Sequence, residues 1–214
     1  INNLITQEAI DAIYLNYDYT PFAMKRDRDI EALCKKKKIS FHGFHDGLLI
    51  GNPAHLLSES KKPYSIYAAF YKKTANIDVA NPNTKIGSNW YTKSIHASTP
   101  SSALFKRLLP KKNSMIKVCG GRANALAILK KLTHYKHYNK ERNIPALDAT
   151  THLSAAHKFG TISIRESYHT IKQKLGNNSQ LIKELYWRDF FTYVVYHSPF
   201  VFGSAFKEKY NKLW

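Results

Sequence analysis

Residues 181–191, which read LIKELYWRDFF, carry side chains that could bind both a nucleobase and an anion. On a helix, residues three and four positions apart share a face, which places Trp187 and Arg188 beside Glu184. An indole ring can stack on a base, a carboxylate can accept hydrogen bonds from it, and a guanidinium can hold an anionic group. The alternative is an ordinary amphipathic helix, in which a Glu184–Arg188 ion pair contributes about 0.2–0.5 kcal/mol beside a core tryptophan.

A hydroxyl-rich segment lies upstream, where Thr150, Thr151 and Ser154 are close together in the chain. Hydroxyl and backbone N–H groups ahead of a helix are typical of sites that bind a phosphate or diphosphate. The same residue types also serve as helix caps, and Tyr138 would then be a core residue at a helix end. Capping and ligand binding are compatible, so the segment predicts a diphosphate site at the start of a helix.

The charge of the chain favours a polyanionic partner such as nucleic acid. Lys and Arg total 33 against 15 Asp and Glu, which gives a net charge of +18. Residues 1–75 carry +3 and residues 76–214 carry +15, and no carboxylate occurs between Asp78 and Glu141. The second part is therefore the expected nucleic-acid surface. Because only 7 of the basic residues are Arg, the abundant Lys could instead reflect an AT-rich coding sequence.

Cysteine use and hydropathy indicate the setting of the protein. Cys34 and Cys119 are far apart and form no CxxC pair, which argues against a disulfide framework or a structural zinc site. No window of 18 apolar residues and no signal-peptide pattern occurs, so neither a membrane span nor secretion is predicted. We expect an intracellular, reducing compartment.

The first part of the chain has the pattern of a parallel α/β unit. An apolar strand is predicted at residues 12–15, followed by an N-cap at Thr20, a helix over Pro21–Lys37 and a strand at residues 39–44. A strand, a helix and a second strand in this order favour a parallel sheet. Parallel sheets normally have several strands, so this unit is expected to be the C-terminal part of a larger α/β domain.

The remainder is predicted to be a linker followed by helices. Residues 76–113 are rich in Asn, Pro, Ser and Lys and show no clear period. Helices are expected at residues 122–138, at Ile164–Leu175 with a capping box formed by Ser163 and Glu166, and at 179–196. The fold class is therefore α/β plus all-α, with a partial α/β domain (1–75), a linker (76–113) and a partial helical domain (114–214).

The order of residues 181–191 resembles the E-L-x-W-R-[DE]-F motif of the photolyase/cryptochrome flavoprotein family. Other segments are similar to family motifs in the same chain order. They are 15–21 with 25–27 (N-x-D-x-x-P and R-D), 62–67 (P-Y-x-V-F), 120–125 (G-G-R-x-x-A), Tyr138, Arg142 with Pro145 (R-x-x-P), 150–154 (T-S-x-L-S) and 159–165 (F-G-x-[IV]-S-x-R). The resemblance covers nearly all of the chain and is closest to the class I cyclobutane pyrimidine dimer photolyases.

This resemblance implies an antenna-type α/β domain, a helical FAD-binding domain and light-driven repair of pyrimidine dimers in DNA. Residues that resemble the substrate wall are Glu184 and Trp187. The carboxyl at 184 is typical of enzymes for cyclobutane dimers, whereas relatives acting on (6-4) products tend to carry Gln. FAD-binding positions are Tyr138, Thr150, Thr151, His152, Leu153, Ser154 and Arg188, and candidates for the DNA backbone are Arg142, Lys130 and Lys131. No catalytic residue and no metal ligand is assigned.

The chain departs from the family pattern at several places. His152 stands where the family usually has Arg or Gly, Ala149 where it has Gly, and Ala155 where it has Pro. The segment around residues 22–23 lacks an evident polar pair for an antenna pigment of the folate or deazaflavin type. This departure argues against the binding of such a pigment, and the sequence leaves open whether one is used.

The family's opening strand and most of its helical domain have no counterpart in these 214 residues. We therefore expect an incomplete segment that is inactive alone, exposes apolar surface, and depends on a complementary fragment, such as one encoded in an adjacent reading frame. The alternatives are a cryptochrome-like flavin photosensor, an inactive gene remnant, and a basic DNA-binding protein without a cofactor.

Overall fold

The N-terminal part of the chain contains two parallel strands joined by a helix. In the computed structural model, which describes residues 1–83, 87, 90, 92, 101–109, 114–116 and 118–213, a short helix α1 (Asn2–Gln7) precedes strand β1 (Ala12–Asn16). Strand β2 (Ser40–Phe44) pairs with it in parallel, with Ala12 opposite Ser40. The predicted strand–helix–strand unit is confirmed.

Helix α2 (Pro21–Lys37) connects the two strands and has the predicted bounds. The Thr20 hydroxyl accepts a hydrogen bond from the Ala23 backbone N–H at 3.3 Å, and Lys38 ends the helix in the left-handed region at φ +56°. Asp27 of this helix is buried, although it is a charged residue, and it pairs with Arg26 at 2.7 Å.

Two helices occur where the sequence pattern predicted none. Helix α3 (Tyr67–Thr74) buries Phe70 completely, and its aromatic residues follow helical spacing. Helix α4 (Ser101–Leu108) lies inside the predicted linker 76–113, much of which lies outside the described residues. The Asn- and Pro-rich composition around α4 hid a short helix of apolar and basic residues.

The helical part differs from prediction at its start. The single helix expected at 122–138 is wrong, because α5 (Arg122–Lys130) ends early and a 3₁₀ turn (Leu132–Tyr135) follows it. The apolar spacing of three residues that suggested one α-helix is the period of a 3₁₀ helix. Helix α6 (Tyr138–Glu141), a 3₁₀ turn (Pro145–Leu147) and α7 (Ser154–Lys158) complete this region.

Helices α8 (Ile164–Leu175) and α9 (Gln180–His197) form the centre of the helical part. The bounds of α8 are as predicted, but its capping box is not formed. Ser163 accepts from Arg165 N–H at 3.2 Å, while Glu166 forms a two-hydrogen-bond pair with Arg122 of α5. Apolar residues of α5, α8 and α9 share one core, and α3 packs on α9 through a second cluster of Leu56, Phe70, Phe190 and Tyr193.

Within the described residues, no helix combines the length and the hydropathy needed to cross a membrane.

Candidate functional site

A cleft of about 690 Å³ lies between the segment after β1 and the helical part of the chain. Its size falls in the range of about 300–1,000 Å³ that is usual for small-molecule and cofactor sites. The seven residues predicted from the sequence to bind a flavin all line it, together with Glu184. They are Tyr138, Thr150, Thr151, His152, Leu153, Ser154 and Arg188.

The loop before α7 forms one wall of the cleft and has an unusual backbone. Asp148 and His152 both adopt left-handed conformations, at φ +43° and +53°. Non-glycine residues in this region cost of order 1 kcal/mol or more and concentrate at ligand clamps. The His152 ring closes the loop, since its Nε2 lies 2.7 Å from Asp148 Oδ1 and 3.5 Å from Thr150 Oγ1. The hydroxyl groups of the loop are therefore held on one short arch.

Arg188 of α9 forms the opposite wall and is fixed by contacts with a distant segment. Its Nη1 donates to the Gly47 carbonyl at 2.7 Å and to Asp189 Oδ1 at 3.3 Å. Asp189 is fully buried and accepts from the backbone N–H groups of Leu49 and Ile50 at 2.7 and 3.1 Å. Burial raises the pKa of the Asp189 carboxyl to about 7, although Arg188 and the two N–H groups act to lower it. These contacts join α9 to residues 47–50.

His157 of α7 also lines the cleft but carries no charge at neutral pH. Burial, and to a lesser degree the nearby Arg188 charge, lowers the pKa of His157 to about 4. Its Nε2 lies 2.8 Å from the hydroxyl of Ser167, which is itself fully buried. Among the residues that line the cleft, the Lys and Arg side chains are those of Lys158 and Arg188.

Glu184 faces the same cleft and is already engaged. It forms an ion pair with Arg142 and accepts a hydrogen bond from Gln180 Nε2 at 2.8 Å. Arg142 also lies over the Tyr138 ring, 5.9 Å from its centroid. Helical spacing allowed an ion pair between Glu184 and Arg188, but among the described residues this pair is not formed. Glu184 pairs with Arg142 instead, and Arg188 donates to the Gly47 carbonyl.

Trp187 lies outside the cleft lining, in the aromatic cluster between α3 and α9. Its ring stacks on Tyr67 with centroids 3.6 Å apart and planes 8° apart, and on Phe191 at 5.5 Å and 27°. The Tyr67 hydroxyl donates to the Lys183 carbonyl at 2.9 Å. The structure therefore brings Glu184 and Arg188 together at the cleft and places Trp187 beside it, against aromatic rings.

Comparison with known proteins shows what this chain is similar to. The DNA photolyase family model matches residues 1–85. The deoxyribodipyrimidine photo-lyase of Alkalihalophilus pseudofirmus is 28% identical over 95% of this chain and 44% of its own length, and that of Synechococcus sp. is 29% identical over 100% and 47%. Over almost its whole length, the chain is therefore similar to photolyases. It spans just under half the length of these relatives.

Solved structures of the family agree with the fold. The archaeal photolyase from Sulfolobus tokodaii, whose crystal structure contains two FAD molecules, aligns with a TM-score of 0.77 and 30% identity over 100% of this chain and 45% of its own. A bacterial class III photolyase from Agrobacterium tumefaciens aligns with a TM-score of 0.79 at 22% identity, over 97% and 45%, which supports the fold alone. The predicted fold class is thereby confirmed.

The remaining predicted positions lie away from the cleft lining. Lys130 and Lys131 are exposed at the end of α5, where the Lys130 carbonyl accepts a hydrogen bond from Lys174 Nζ at 2.6 Å. Their role towards DNA stays a prediction. Phe22, at the segment considered for an antenna pigment, is exposed and adjoins buried Ala23. Among the described residues, no cluster of His, Cys, Asp and Glu could hold a metal ion.

Several residues that line the cleft were not singled out from the sequence. Asp18 falls inside the N-x-D-x-x-P resemblance, which could have indicated it. His157 and Lys158 follow the diphosphate segment directly and could have been found by extending it. Gly47 and Leu48 carried no local signal, because only the contacts of Arg188 and Asp189 bring them to the cleft.

Proposed function

We propose that the chain binds FAD in the cleft as part of a deoxyribodipyrimidine photolyase, which repairs cyclobutane pyrimidine dimers in DNA with light. The observation that carries the proposal is that all seven positions singled out for flavin binding line one cleft, although they lie in three separate segments of the chain. Bound FAD would supply light absorption and the electron that splits the dimer. The residues fit the cofactor, because the cleft combines hydroxyl groups, cations and apolar surface.

The chain's own residues would bind and orient the cofactor. Thr150, Thr151 and Ser154 offer hydroxyl donors to the diphosphate, and Arg188 offers a cation whose direction is fixed by Gly47. Burial raises the pKa of the Tyr138 hydroxyl, so this ring stays neutral and forms an apolar wall with a polar tip. The cleft therefore has a polar end for a diphosphate and a less polar end.

The substrate wall is proposed to consist of Glu184 and Trp187. A photolyase acts on a dimer extruded from the duplex, which needs a hydrogen-bonding group and a stacking surface in the receiving site. Glu184 could accept hydrogen bonds from the bases if Arg142 moves away, or if one carboxylate oxygen stays paired with Arg142 while the other binds a base. Arg142, Lys130 and Lys131 would then bind phosphate groups of the DNA backbone.

FAD binding tests the proposal directly. We expect the purified chain to quench the fluorescence of added FAD saturably. The double variant Thr151→Ala, Ser154→Ala should lose at least about a hundredfold in affinity, since it removes two donors to a charged group, each worth about 1.5–3 kcal/mol. Thr133→Ala, an exposed hydroxyl on the 3₁₀ turn after α5, is the matched control and should bind as the parent does. Failure of the parent to bind FAD, or equal binding by all three proteins, would contradict the proposal.

A cryptochrome-like flavin photosensor is the second candidate. It is favoured by the engaged substrate wall, since Glu184 is paired with Arg142 and Trp187 is stacked on Tyr67 and Phe191. With the chain co-expressed with the unmatched part of the Sulfolobus tokodaii photolyase, chromatography of an illuminated oligonucleotide that contains one thymine dimer separates the two functions. Loss of the dimer, abolished in Glu184→Gln while FAD binding persists, supports the photolyase. An unchanged dimer with light-dependent bleaching of the flavin supports the photosensor.

We further propose that whole-enzyme activity needs a complementary polypeptide. The chain spans just under half of its relatives, and Phe200, Phe202 and Phe206 are exposed directly after α9. Co-expression with the part of the Sulfolobus tokodaii photolyase that this chain does not match should raise FAD affinity and dimer repair. Equal repair with and without that part would contradict this proposal.

A further inference from the structure

Arg165, in the first turn of helix α8, forms an ion pair with the segment that leaves strand β2. Its Nη1 lies 2.7 Å from Asp46 Oδ1. The Arg165 side chain is largely buried, with 22% of it exposed, whereas the Asp46 side chain is 56% exposed. Asp46 is the second residue after β2 ends at Phe44. The contact therefore joins the helical part of the chain to the start of the segment 46–50.

Stability alone does not account for the placement of Arg165. A cation in the first turn of a helix is repelled by the positive end of the helix dipole. The Arg165 Nε is buried and, among the described residues, has no hydrogen-bond partner, which destabilises the folded chain. The ion pair with Asp46 stabilises it little, because water screens a carboxylate that is more than half exposed. Unfavourable features kept together at one position are typical of a functional role.

The group next to this ion pair is the Gly47 carbonyl, which belongs to the cleft wall. It accepts a hydrogen bond from Arg188 Nη1 at 2.7 Å. Because glycine has no Cβ, the peptide groups beside it turn more freely than those of other residues unless its neighbours are held. Leu48 is held by burial, and Asp46 is held by Arg165. The direction of the Gly47 carbonyl therefore depends on the Arg165–Asp46 pair.

Helix α9 fixes the other end of the same segment. Asp189 accepts hydrogen bonds from the backbone N–H groups of Leu49 and Ile50 at 2.7 and 3.1 Å. Arg165 of α8 holds the first residue of the segment, Asp46. Two helices thus anchor residues 46–50 from both ends, and the Gly47 carbonyl lies between the two anchoring points.

We propose that Arg165 is a positioning residue for the cleft. Through Asp46 it holds the Gly47 carbonyl, and through that carbonyl it sets the direction of the Arg188 guanidinium towards an anionic group of the ligand. The proposal rests on the proposed binding of FAD for its ligand. It adds a residue that lies outside the cleft lining, on a different helix, and that controls how well the cleft binds an anion.

The test is the FAD affinity of the full chain, with riboflavin, which lacks phosphate, as the comparison ligand. Arg165→Gln should weaken FAD binding about tenfold, close to the smallest loss expected for one charge-assisted hydrogen bond. Riboflavin affinity should stay unchanged, because riboflavin has no anionic group for Arg188. Arg165→Asp combined with Asp46→Arg rebuilds the pair with exchanged charges and should restore most of the FAD affinity. Arg122→Gln is the matched control, because it breaks an Arg–carboxylate pair with Glu166 of the same helix, and it should bind FAD as the parent does.

A double-mutant cycle tests whether Arg165 acts through Arg188. Arg188→Gln should weaken FAD binding by itself. Adding Arg165→Gln to it should cause little further loss, since the group that Arg165 positions is then absent. Hydrogen exchange of the ligand-free chain is the second measurement. The amides of residues 47 and 48 should exchange faster in Arg165→Gln and at the parent rate in Arg122→Gln.

The outcomes separate the two proposals. Absence of FAD binding by the parent overturns the proposed function and this inference together. Equal FAD affinity in the parent and Arg165→Gln, an equal loss for riboflavin, or an undiminished loss in the Arg188→Gln background overturns this inference alone. If Arg165→Gln unfolds in urea far more easily than Arg122→Gln and the exchanged pair fails to restore FAD binding, Arg165 has a structural role only, which also overturns it.

Discussion

The two sides of helix α9 are held in place in different ways. The cleft side presents Glu184 and Arg188, whose charges are positioned by single polar contacts from distant segments. The neighbouring side presents Trp187 and Phe190, which pack against Tyr67 and Phe70 of α3 through extensive ring contact. The charged side chains are thus oriented by a few directional hydrogen bonds and ion pairs, whereas the aromatic side chains are held by a large area of ring contact. The cleft side should therefore respond to single substitutions and to pH, and the aromatic side to loss of volume.

The largest effect should come from the buried carboxylate that joins α9 to residues 47–50. Asp189→Ala leaves the N–H groups of Leu49 and Ile50 without their acceptor and removes a partner of Arg188. We expect the free energy of unfolding to fall by about 3–5 kcal/mol, as when one partner of a buried polar pair is lost. Urea denaturation measures it. Exposed Asp29→Ala, which breaks the surface pair with Lys25, should cost less than about 1 kcal/mol; comparable losses would contradict the prediction.

A pH-dependent effect on the cleft side should come next, from His157. The pKa of this ring is about 4 in the folded chain and about 6.5 in an unfolded chain. The unfolded chain therefore takes up a proton first, and stability falls as the pH decreases from about 6.5 towards 4, by about 3 kcal/mol in total. His157→Gln should lose this part of the acid sensitivity, whereas exposed His134→Gln should keep it. Parallel pH profiles for the parent and His157→Gln would show the prediction to be wrong.

On the aromatic side, we expect Tyr67→Leu to cost about 2 kcal/mol. It removes the stack on Trp187, worth about 0.5–1.5 kcal/mol, and the hydrogen bond to the Lys183 carbonyl, worth about 1 kcal/mol. Tyr67→Phe keeps the stack and should cost only about 1 kcal/mol. Neither variant should change FAD affinity. A large loss of FAD binding in Tyr67→Phe would show that the two sides of α9 are not separate.

A smaller effect is expected for the ion pair at the mouth of the cleft. Arg142 and Glu184 are each about one-third exposed, at 32% and 31% of their side chains, so water screens the pair. A double-mutant cycle with Arg142→Ala and Glu184→Gln should give a coupling energy of about 0.5–1 kcal/mol. Urea denaturation of the parent, the two single variants and the double variant measures this coupling energy. A coupling above about 3 kcal/mol would indicate a buried, structural pair and would count against its release for a substrate.

The least structural effect should follow from Lys130→Ala with Lys131→Ala. Both side chains are exposed, so stability should change by less than about 0.5 kcal/mol. If both contact phosphates, the slope of the logarithm of DNA affinity against the logarithm of salt concentration should decrease by about 2. Lys72→Ala with Lys73→Ala, on α3, is the matched control. An equal change in both pairs would indicate general charge attraction without a defined DNA surface.

Local sequence signals predicted a large part of the fold. The caps at Thr20, Ser163 and Ser179 gave the starts of three helices, because capping depends on residues next to one another in the chain. The break after Lys130 was missed since spacing alone did not distinguish an α-helix from a 3₁₀ turn. Helices α3 and α4 were missed because their flanks are rich in Pro, Ser or Asn.

The candidate site also combines features that the local sequence predicts with contacts that only the fold creates. The sequence by itself determined the hydroxyl-rich segment 150–154, the residue order of 181–191 and therefore the resemblance to photolyases, since these depend on residue types and spacing. Only the tertiary structure decided that Glu184 pairs with Arg142, that Asp189 holds residues 49–50, and that Trp187 stacks on Tyr67. Those partners lie from 42 to 140 positions apart in the chain. Contacts at such separations are set by how the helices pack, and no local pattern of residues encodes them.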